Sequence, residues 1–305
     1  MDGRILDRLR CPVCAEPLTE TTAGTARALR CPRRHSFDIA RQGYVNLLAG
    51  RAPHSGDSAD MVAARADFLA AGHYDTVAAA LAATTAEVLA ATTAEVLAAT
   101  TAEVLAVTAA EVVAPYPMVV DAGAGTGWYL AAVLAAVPDA VGLALDVAKP
   151  ALRRAARAHP RAAAALADTW QRLPLADASA AVLLNVFAPR NGPEFHRVLD
   201  PAGALLVVTP AADHLAELVD ALDLLRVDPA KSDRVAGSLG AHFTEESATE
   251  HRARLTLRRA EVATLVGMGP SAWHTDPTRL AERIAALPEP VPVTLAVRLG
   301  VHRPR

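Results

Sequence analysis

The stretch VVDAGAGTGWYL, residues 119–130, decides the fold. With Met118 before them, Val119 and Val120 form a short apolar run behind Pro117, the pattern of a central parallel strand buried on both faces. Asp121 falls at the carboxyl end of that strand, and Gly123, Gly125 and Gly127 follow at alternate positions. Glycines there let the chain turn sharply and bring backbone against a ligand with no Cβ in the way. From Trp128 the pattern becomes helical, so the free N–H groups of a helix start point back over the turn. Strand, glycine turn and helix in this order predict a pocket for a nucleotide-like cofactor.

The spacing narrows the cofactor. A dinucleotide fingerprint, G-x-G-x-x-G counted from Gly123, needs its last glycine where Trp128 stands, which disfavours a NAD dehydrogenase. The D-x-G-x-G-x-G pattern resembles the first motif of S-adenosylmethionine (SAM) methyltransferases.

Downstream the alternation is regular. Strands are expected at residues 141–145, 163–167, 181–186 and 204–208, with two late strands at 252–257 and 291–301 and a helix at 214–225. The fold class is therefore α/β, a Rossmann-like doubly wound, mostly parallel sheet, which together with the glycine motif resembles the class I SAM-dependent methyltransferases. In such sheets the ligand lies off the carboxyl ends of the strands, where Asp121, Asp146, Asp168 and Asn185 all fall. Asp146 ends the second strand, where an acid can accept both ribose hydroxyls of a nucleoside.

Upstream, Cys11-Pro-Val-Cys14 and Cys31-Pro-Arg-Arg-His35 form a C-x2-C and C-x3-H pair, and Cys11, Cys14 and Cys31 are all the cysteines of the chain. Two pairs of soft or borderline donors suit tetrahedral zinc, and a cytosolic disulfide is disfavoured. Three thiolates and a neutral imidazole leave the zinc site at about −1, which the flanking Arg10, Arg30, Arg33 and Arg34 offset. With no open coordination position implied, the zinc reads as structural. Residues 36–48, SFDIARQGYVNLL, supply apolar side chains for a small core around a Gly43 turn, with Arg33, Arg34 and Arg41 outside as either an RNA-contacting face or a solvated surface.

A helical pattern follows at residues 61–74, with Gly72 as its stop. TTAEVLAA then occurs at residues 84–91 and 92–99, TTAEVLAV at 100–107, and TAAEVVAP as a worn fourth copy. Eight residues turn a helix through about 800°, so each copy is rotated by about 80°, and Glu87, Glu95, Glu103 and Glu111 spiral without a fixed apolar stripe. One long helix is expected, with a passive duplicated insert and a partner-binding helix as the two readings. Lys and Arg are absent between Asp75 and Lys149, so this segment should not face RNA.

A hydrophobic content of 52% supports a sizeable core, and 4% aromatics require that core to be built from small aliphatics. The formal net charge is −3 overall, but residues 1–54 carry nine Arg against five Asp and Glu, a basic end on an acidic body that points to a polyanion. The opening MDGRILDRLR lacks the apolar run of a signal peptide, and Glu and Thr interrupt each long Ala-rich stretch, so a soluble cytoplasmic protein without a membrane span is expected. The expected units are a zinc-binding, RNA-recognition module at residues 1–52, a helical linker at 53–117 and a methyltransferase domain at 118–305.

The zinc knuckles, GYVNLL at 43–48, AGHY at 71–74 and the glycine turn occur together in one order. That combination resembles the 23S ribosomal RNA (guanine-N1)-methyltransferases (RlmA type) that act on a hairpin in domain II, from about Arg10 to the C-terminus apart from the repeats. FAPRN, TPAADHLAELVDAL and MGPSAWH are similar to the actinobacterial branch linked to tylosin-type macrolide resistance. The resemblance implies zinc ligands at Cys11, Cys14, Cys31 and His35, and SAM contacts at Tyr74, Tyr129, Leu130 and His214. Taken alone, Tyr74 and Tyr129 read as packing residues and His214 as a helix histidine. It also implies a homodimer with an RNA cleft between subunits, although the sequence shows no dimer face. Analogy with other methyltransferases gives Asp168 the adenine amino group.

Methyl transfer is an in-line displacement in which the cofactor brings activation and the protein supplies position. His and Glu are absent beside the fourth strand, which leaves Asn185 either to orient the target base as the catalytic candidate or to cap the strand end. Two other readings remain: a small-molecule methyltransferase with a structural zinc module, and a non-catalytic zinc-dependent RNA-binding protein. The basic module opposes the first, the intact glycine turn and Asp146 the second.

Overall fold

The structure, a computed structural model, describes residues 1–50, 56–103, 116–224, 237–269 and 276–305. Helix α1 (Gly3–Leu6) leads into an antiparallel sheet of β1 (Thr19–Ala23), β2 (Ala26–Arg30) and β3 (Ser36–Asp38). Strand β4 (Tyr44–Asn46) then leaves that sheet and pairs in parallel with β7 (Ala162–Leu166) of the main one. The main sheet continues through β5 (Met118–Ala122), β6 (Val141–Asp146), β8 (Ala180–Val186), β9 (Leu199–Pro210), β10 (Phe243–Leu257) and β11 (Val291–Pro304). Its eight strands run in the order β10-β11-β9-β8-β5-β6-β7-β4, parallel from β4 to β9, with β11 antiparallel to both its neighbours. The strand order reverses between β5 and β8, which places the crevice of a doubly wound sheet above the glycine turn.

Period-2 alternation builds two cores. Val119 of β5 faces one, while Met118, Val120 and Ala122 face the other. Helices α2 (Ala59–Ala70), α3 (Asp75–Glu103), α4 (Trp128–Ala136), α5 (Lys149–Ala155), α7 (Ala216–Leu222), α8 (Arg259–Gly267) and α9 (Pro277–Ala286) add side chains to the first core. Helix α6 (Gly192–Val198) and the N-terminal module, through Ile5, Leu9, Leu18 and Leu29, add theirs to the second.

Three expectations change. Tyr44, Val45 and Leu47 do not form a private core for the small module: Tyr44 joins the first core and Val45 and Leu47 the second, because β4 is the edge of the main sheet. The expected boundary at 52/53 therefore has a strand of the large sheet on its N-terminal side. Residues of the expected linker form a layer on that sheet. Val77, Ala78, Leu81, Ala82, Thr85, Val88 and Leu89 of α3 are buried at helical spacing, so the first repeat does present an apolar stripe. Strand β10 is longer than residues 252–257, because residues 244–250 are exposed and polar and only their pairing with β11 makes them a strand.

Among the described side chains the stripe of α3 runs to Thr92, whose hydroxyl donates to the Val88 carbonyl at 3.0 Å and the Ala202 carbonyl at 3.2 Å; Thr93 and Ala94 are exposed. By length and composition the segment Asp75–Ala94 is apolar enough to cross a membrane, yet Val77 and Leu81 are buried in the first core. The side chains of Glu95 and Glu103, Glu111 itself, the end of the third repeat, the fourth repeat, Leu225 and most of MGPSAWH lie outside the described residues.

The repeat makes a deletion readable. Removing residues 84–99 brings Thr101, Val104, Leu105 and Thr108 into the places of Thr85, Val88, Leu89 and Thr92. The shortened protein is expected to fold and to bind SAM within about twofold of the parent. A folded deletion variant that loses SAM, measured by calorimetry, would show that the second repeat supports the pocket.

Candidate functional site

The turn after β5 is held in one shape from several sides. Gly123, Gly125 and Gly127 have φ of 87°, 53° and 78°, which L side chains rarely adopt. A Cβ on Gly123 would lie 2.4 Å from the Ala188 Cβ, and one on Gly127 2.9 Å from the Ala155 Cα. The Leu145 carbonyl accepts from the N–H groups of Gly123 (2.9 Å) and Ala124 (3.0 Å). Asp146 accepts from Gly125 N–H through Oδ2 and from Ala148 N–H through Oδ1, each at 2.8 Å. Burial raises the Asp146 pKa against these two hydrogen bonds, which lower it. Its carboxylate keeps lone pairs for a ligand's hydroxyls.

Asp121 differs. It is buried, and neither carboxylate oxygen has a hydrogen-bond partner among the described residues. Burial, then the charge of Asp146, push it up to about 8. An ionised carboxylate in that position needs a cation beside it. SAM carries an ammonium and a sulfonium, so the unpartnered acid and the glycine turn fit this cofactor.

Tyr74 and His214 are in contact with each other. The Tyr74 hydroxyl lies 3.4 Å from His214 Nε2, and His214 Nδ1 accepts from the Ala296 N–H at 3.2 Å. With Nδ1 an acceptor, the neutral ring carries its proton on Nε2, facing the Tyr74 oxygen. Burial raises the phenol pKa of Tyr74 and of Tyr129, and the charges acting on Tyr129 include Tyr74, Asp121 and Arg65, which puts these groups in one neighbourhood. Leu130 has its side chain in the first core, so its backbone N–H, in the first turn of α4, is what it offers a ligand.

Asp168 and Asn185 each make local hydrogen bonds. Asp168 accepts from the Trp170 N–H at 3.0 Å and from Gln171 Nε2 at 3.3 Å, both in its own loop. Asn185 is fully buried, and its Nδ2 donates to the carbonyls of Ala122 (3.2 Å) and Pro189 (2.8 Å). It fastens the loop after β8 to the end of β5. Its Oδ1 is buried and has no hydrogen-bond partner among the described residues, so only the nitrogen end of the amide is committed.

Three groups near the site escaped the sequence. Arg65 of α2 places Nη1 3.4 Å from where a Gly125 Cβ would be, pairs with Asp57 and donates from Nη2 to the Met268 carbonyl at 2.8 Å. Nothing in MVAARADFL separates that arginine from an ordinary helix charge. Phe187 and Trp170 are large, exposed aromatics in the loops after β8 and β7. Their position after strand ends was the available signal.

The metal centre gathers all four predicted ligands. The donor atoms of Cys11, Cys14, Cys31 and His35 lie within 4.8 Å of one another. Cys14 Sγ is 3.7 Å from Cys31 Sγ, and His35 Nδ1 is 3.5 Å from Cys11 Sγ and 3.3 Å from Cys31 Sγ. Tetrahedral zinc, with bonds of about 2.3 Å to sulfur and about 2.0–2.1 Å to nitrogen, requires edges of about 3.8 and about 3.5 Å. The donor set fits zinc. Each knuckle holds one left-handed non-glycine residue, Ala15 (φ 60°) and Arg34 (φ 69°), a strain that metal bonds can hold.

Arg33, Arg34 and Arg41 are exposed, and Arg33 faces Glu16 at 3.7 Å. A Cβ on Gly43 would lie 3.5 Å from the Ala156 Cβ, so the module's basic turn adjoins the end of α5, where Arg153, Arg154 and Arg157 are exposed.

Known proteins resemble the chain in its N-terminal region and over its whole length. Residues 9–55 match the zinc-ribbon family model described as "RlmA, N-terminal". Over its whole length the chain is 66% identical to the whole of a Micromonospora griseorubida protein named "Putative 23S rRNA (guanine-N(1)-)-methyltransferase". It is 50% identical, over 100% of this chain and 99% of the relative, to the "23S rRNA (guanine(748)-N(1))-methyltransferase" of Streptomyces fradiae.

Proposed function

The chain belongs to the 23S rRNA (guanine-N1)-methyltransferase family, and from that premise we propose the acceptor and the residues that serve it. The enzyme transfers a methyl group from SAM to N1 of a guanine in 23S ribosomal RNA, with zinc as a second cofactor. The acceptor is the guanine in a domain II hairpin that corresponds to guanine 748, the position in the Streptomyces fradiae relative's name. As the resemblance implies, its methylation contributes to resistance to tylosin-type macrolides, in the cytoplasm where the ribosome is.

The observation that carries the SAM reading is Asp121, a buried carboxylate without a partner under a glycine turn. SAM supplies an activated methyl group. Asp121 balances positive charge, Gly123, Gly125 and Gly127 admit the ligand, and Asp146 receives ribose hydroxyls. Tyr74, Tyr129, Leu130 and His214 complete the pocket, with Asp168 at the adenine. Cys11, Cys14, Cys31 and His35 hold zinc. Residues 1–52 recognise RNA through Arg33, Arg34 and Arg41, residues 118–305 carry the transfer chemistry, and two subunits flank the RNA.

Incubation with labelled SAM and 23S rRNA, followed by reverse transcription, tests this. N1-methylguanine blocks Watson–Crick pairing, so a new stop is expected at one guanine. Label without a stop, or label only on small molecules, would sink the assignment. In the same assay, replacing Arg33 and Arg34 together by Ala is expected to leave SAM affinity unchanged. It should make RNA binding less salt-dependent, by about 0.7–0.9 in slope per lost phosphate contact.

A further inference from the structure

We propose that Phe187 is the stacking platform for the acceptor guanine, an inference that rests on the methyltransferase reading above. The N1 of a paired guanine lies inside the helix, so the base must be splayed or flipped out before it meets the methyl donor. A base outside its stack is held by aromatic faces, and every base has one to offer.

Phe187 is 41% exposed, one of the four large apolar side chains that are exposed among the described residues, with Val13, Tyr116 and Trp170. Its backbone is left-handed, φ 53°, a conformation rare for a bulky residue and kept only where the surroundings impose it. The surroundings are visible. The Phe187 N–H donates to the Val208 carbonyl at 3.1 Å, Asn185 ties Pro189 to Ala122, and the Ala188 Cβ fills the space over Gly123. The fold thus spends a buried amide and a strained residue to hold an apolar ring partly in water.

The ring is also backed. Its centroid is 6.1 Å from that of His214, with planes 26° apart, and 6.3 Å from that of Tyr74. Tyr74 and His214 are themselves anchored to each other and to the Ala296 N–H. One end of this cluster reaches the residues assigned to SAM, and the other is exposed. A base laid on Phe187 is therefore placed beside the donor pocket, which is what an in-line transfer requires. Stacking tolerates any base, so Phe187 supplies position; the choice of guanine lies in other contacts.

The test uses full-length, zinc-loaded protein and 23S rRNA transcript in single-turnover methylation, with variants F187A, F187L and F187Y. SAM affinity and zinc content are measured on each. Removing a base–aromatic stack costs roughly 5- to 150-fold. F187A and F187L should both lose about that factor in rate, F187Y should stay near the parent, and SAM affinity should hold within about twofold throughout. Leucine keeps apolar volume but has no π face, so a parental rate in F187L would overturn stacking. SAM affinity falling in step with the rate would overturn it too, because Phe187 would then be covering the cofactor. A parental protein that makes no SAM-dependent stop in the rRNA would instead defeat the methyltransferase reading, independently of Phe187.

Discussion

Asp121→Asn is expected to stabilise the SAM-free protein at alkaline pH and to weaken its hold on SAM. The wild-type carboxyl moves from an ordinary 3.8 to about 8 on folding, because it is buried beside Asp146 without a hydrogen-bond partner among the described residues. Its folded pKa is raised, so the native state binds more protons than the unfolded state between those two values. Its contribution to stability is full below about pH 4 and is lost as pH rises to about 8, at about 1.4 kcal/mol per unit. Asparagine has nearly the same shape and no charge, so the variant should lack this pH slope. Thermal midpoints measured from pH 5 to 9 should diverge, with the variant gaining on the parent toward the alkaline end. SAM should reverse the order: a cationic ligand favours the ionised acid, and losing that partner should cost tenfold or more in affinity, about 1.4 kcal/mol. Parallel pH profiles for the two proteins would show that Asp121 is not the buried, unpartnered acid described here. Equal SAM affinity would remove it from the binding site.

Cys14→Ser, or chelation of the wild type, is expected to unfold the knuckles without dissolving the large sheet. Structural zinc supplies about 10–16 kcal/mol in small zinc modules, more than a three-stranded sheet of short strands can replace. Zinc should fall from one ion per chain to none by elemental analysis. Amide protection should vanish across β1, β2 and β3. It should persist in β4, because Tyr44, Val45 and Asn46 pair with Ala164, Ala165 and Leu166 and the Leu47 N–H donates to the Leu166 carbonyl. Leu9, bridged to Leu175, and the Arg10 N–H on the Pro174 carbonyl should mark the edge of the lost region. SAM binding should survive while methylation of rRNA collapses. Protected knuckles without metal would refute a structural zinc. Lost SAM binding would mean that the metal also supports the cofactor pocket.

These two sites were legible in the sequence because their determinants are local. A turn that needs three glycines within five residues must spell them in order, and a tetrahedral metal needs short ligand pairs. The buried parallel strands announced themselves as apolar runs for the same reason: both faces are covered, so every position is constrained. What depends on a distant partner was not written locally. β4 is three residues long and becomes a sheet edge only against β7. β10 is polar through residues 244–250 and is a strand only because β11 runs beside it.

The first repeat gained a buried stripe from the sheet beneath α3, which among the described side chains runs to Thr92. Asn185 stands at a strand end, and tertiary packing commits its amide nitrogen to the Ala122 and Pro189 carbonyls while leaving its oxygen buried without a hydrogen-bond partner among the described residues. The residue types, the cofactor class and the metal were thus determined by the sequence itself. Tertiary structure alone decided which buried acid is left without a partner and which aromatics are left in water, because burial and hydrogen-bond satisfaction are properties of neighbours that the chain brings together from far apart.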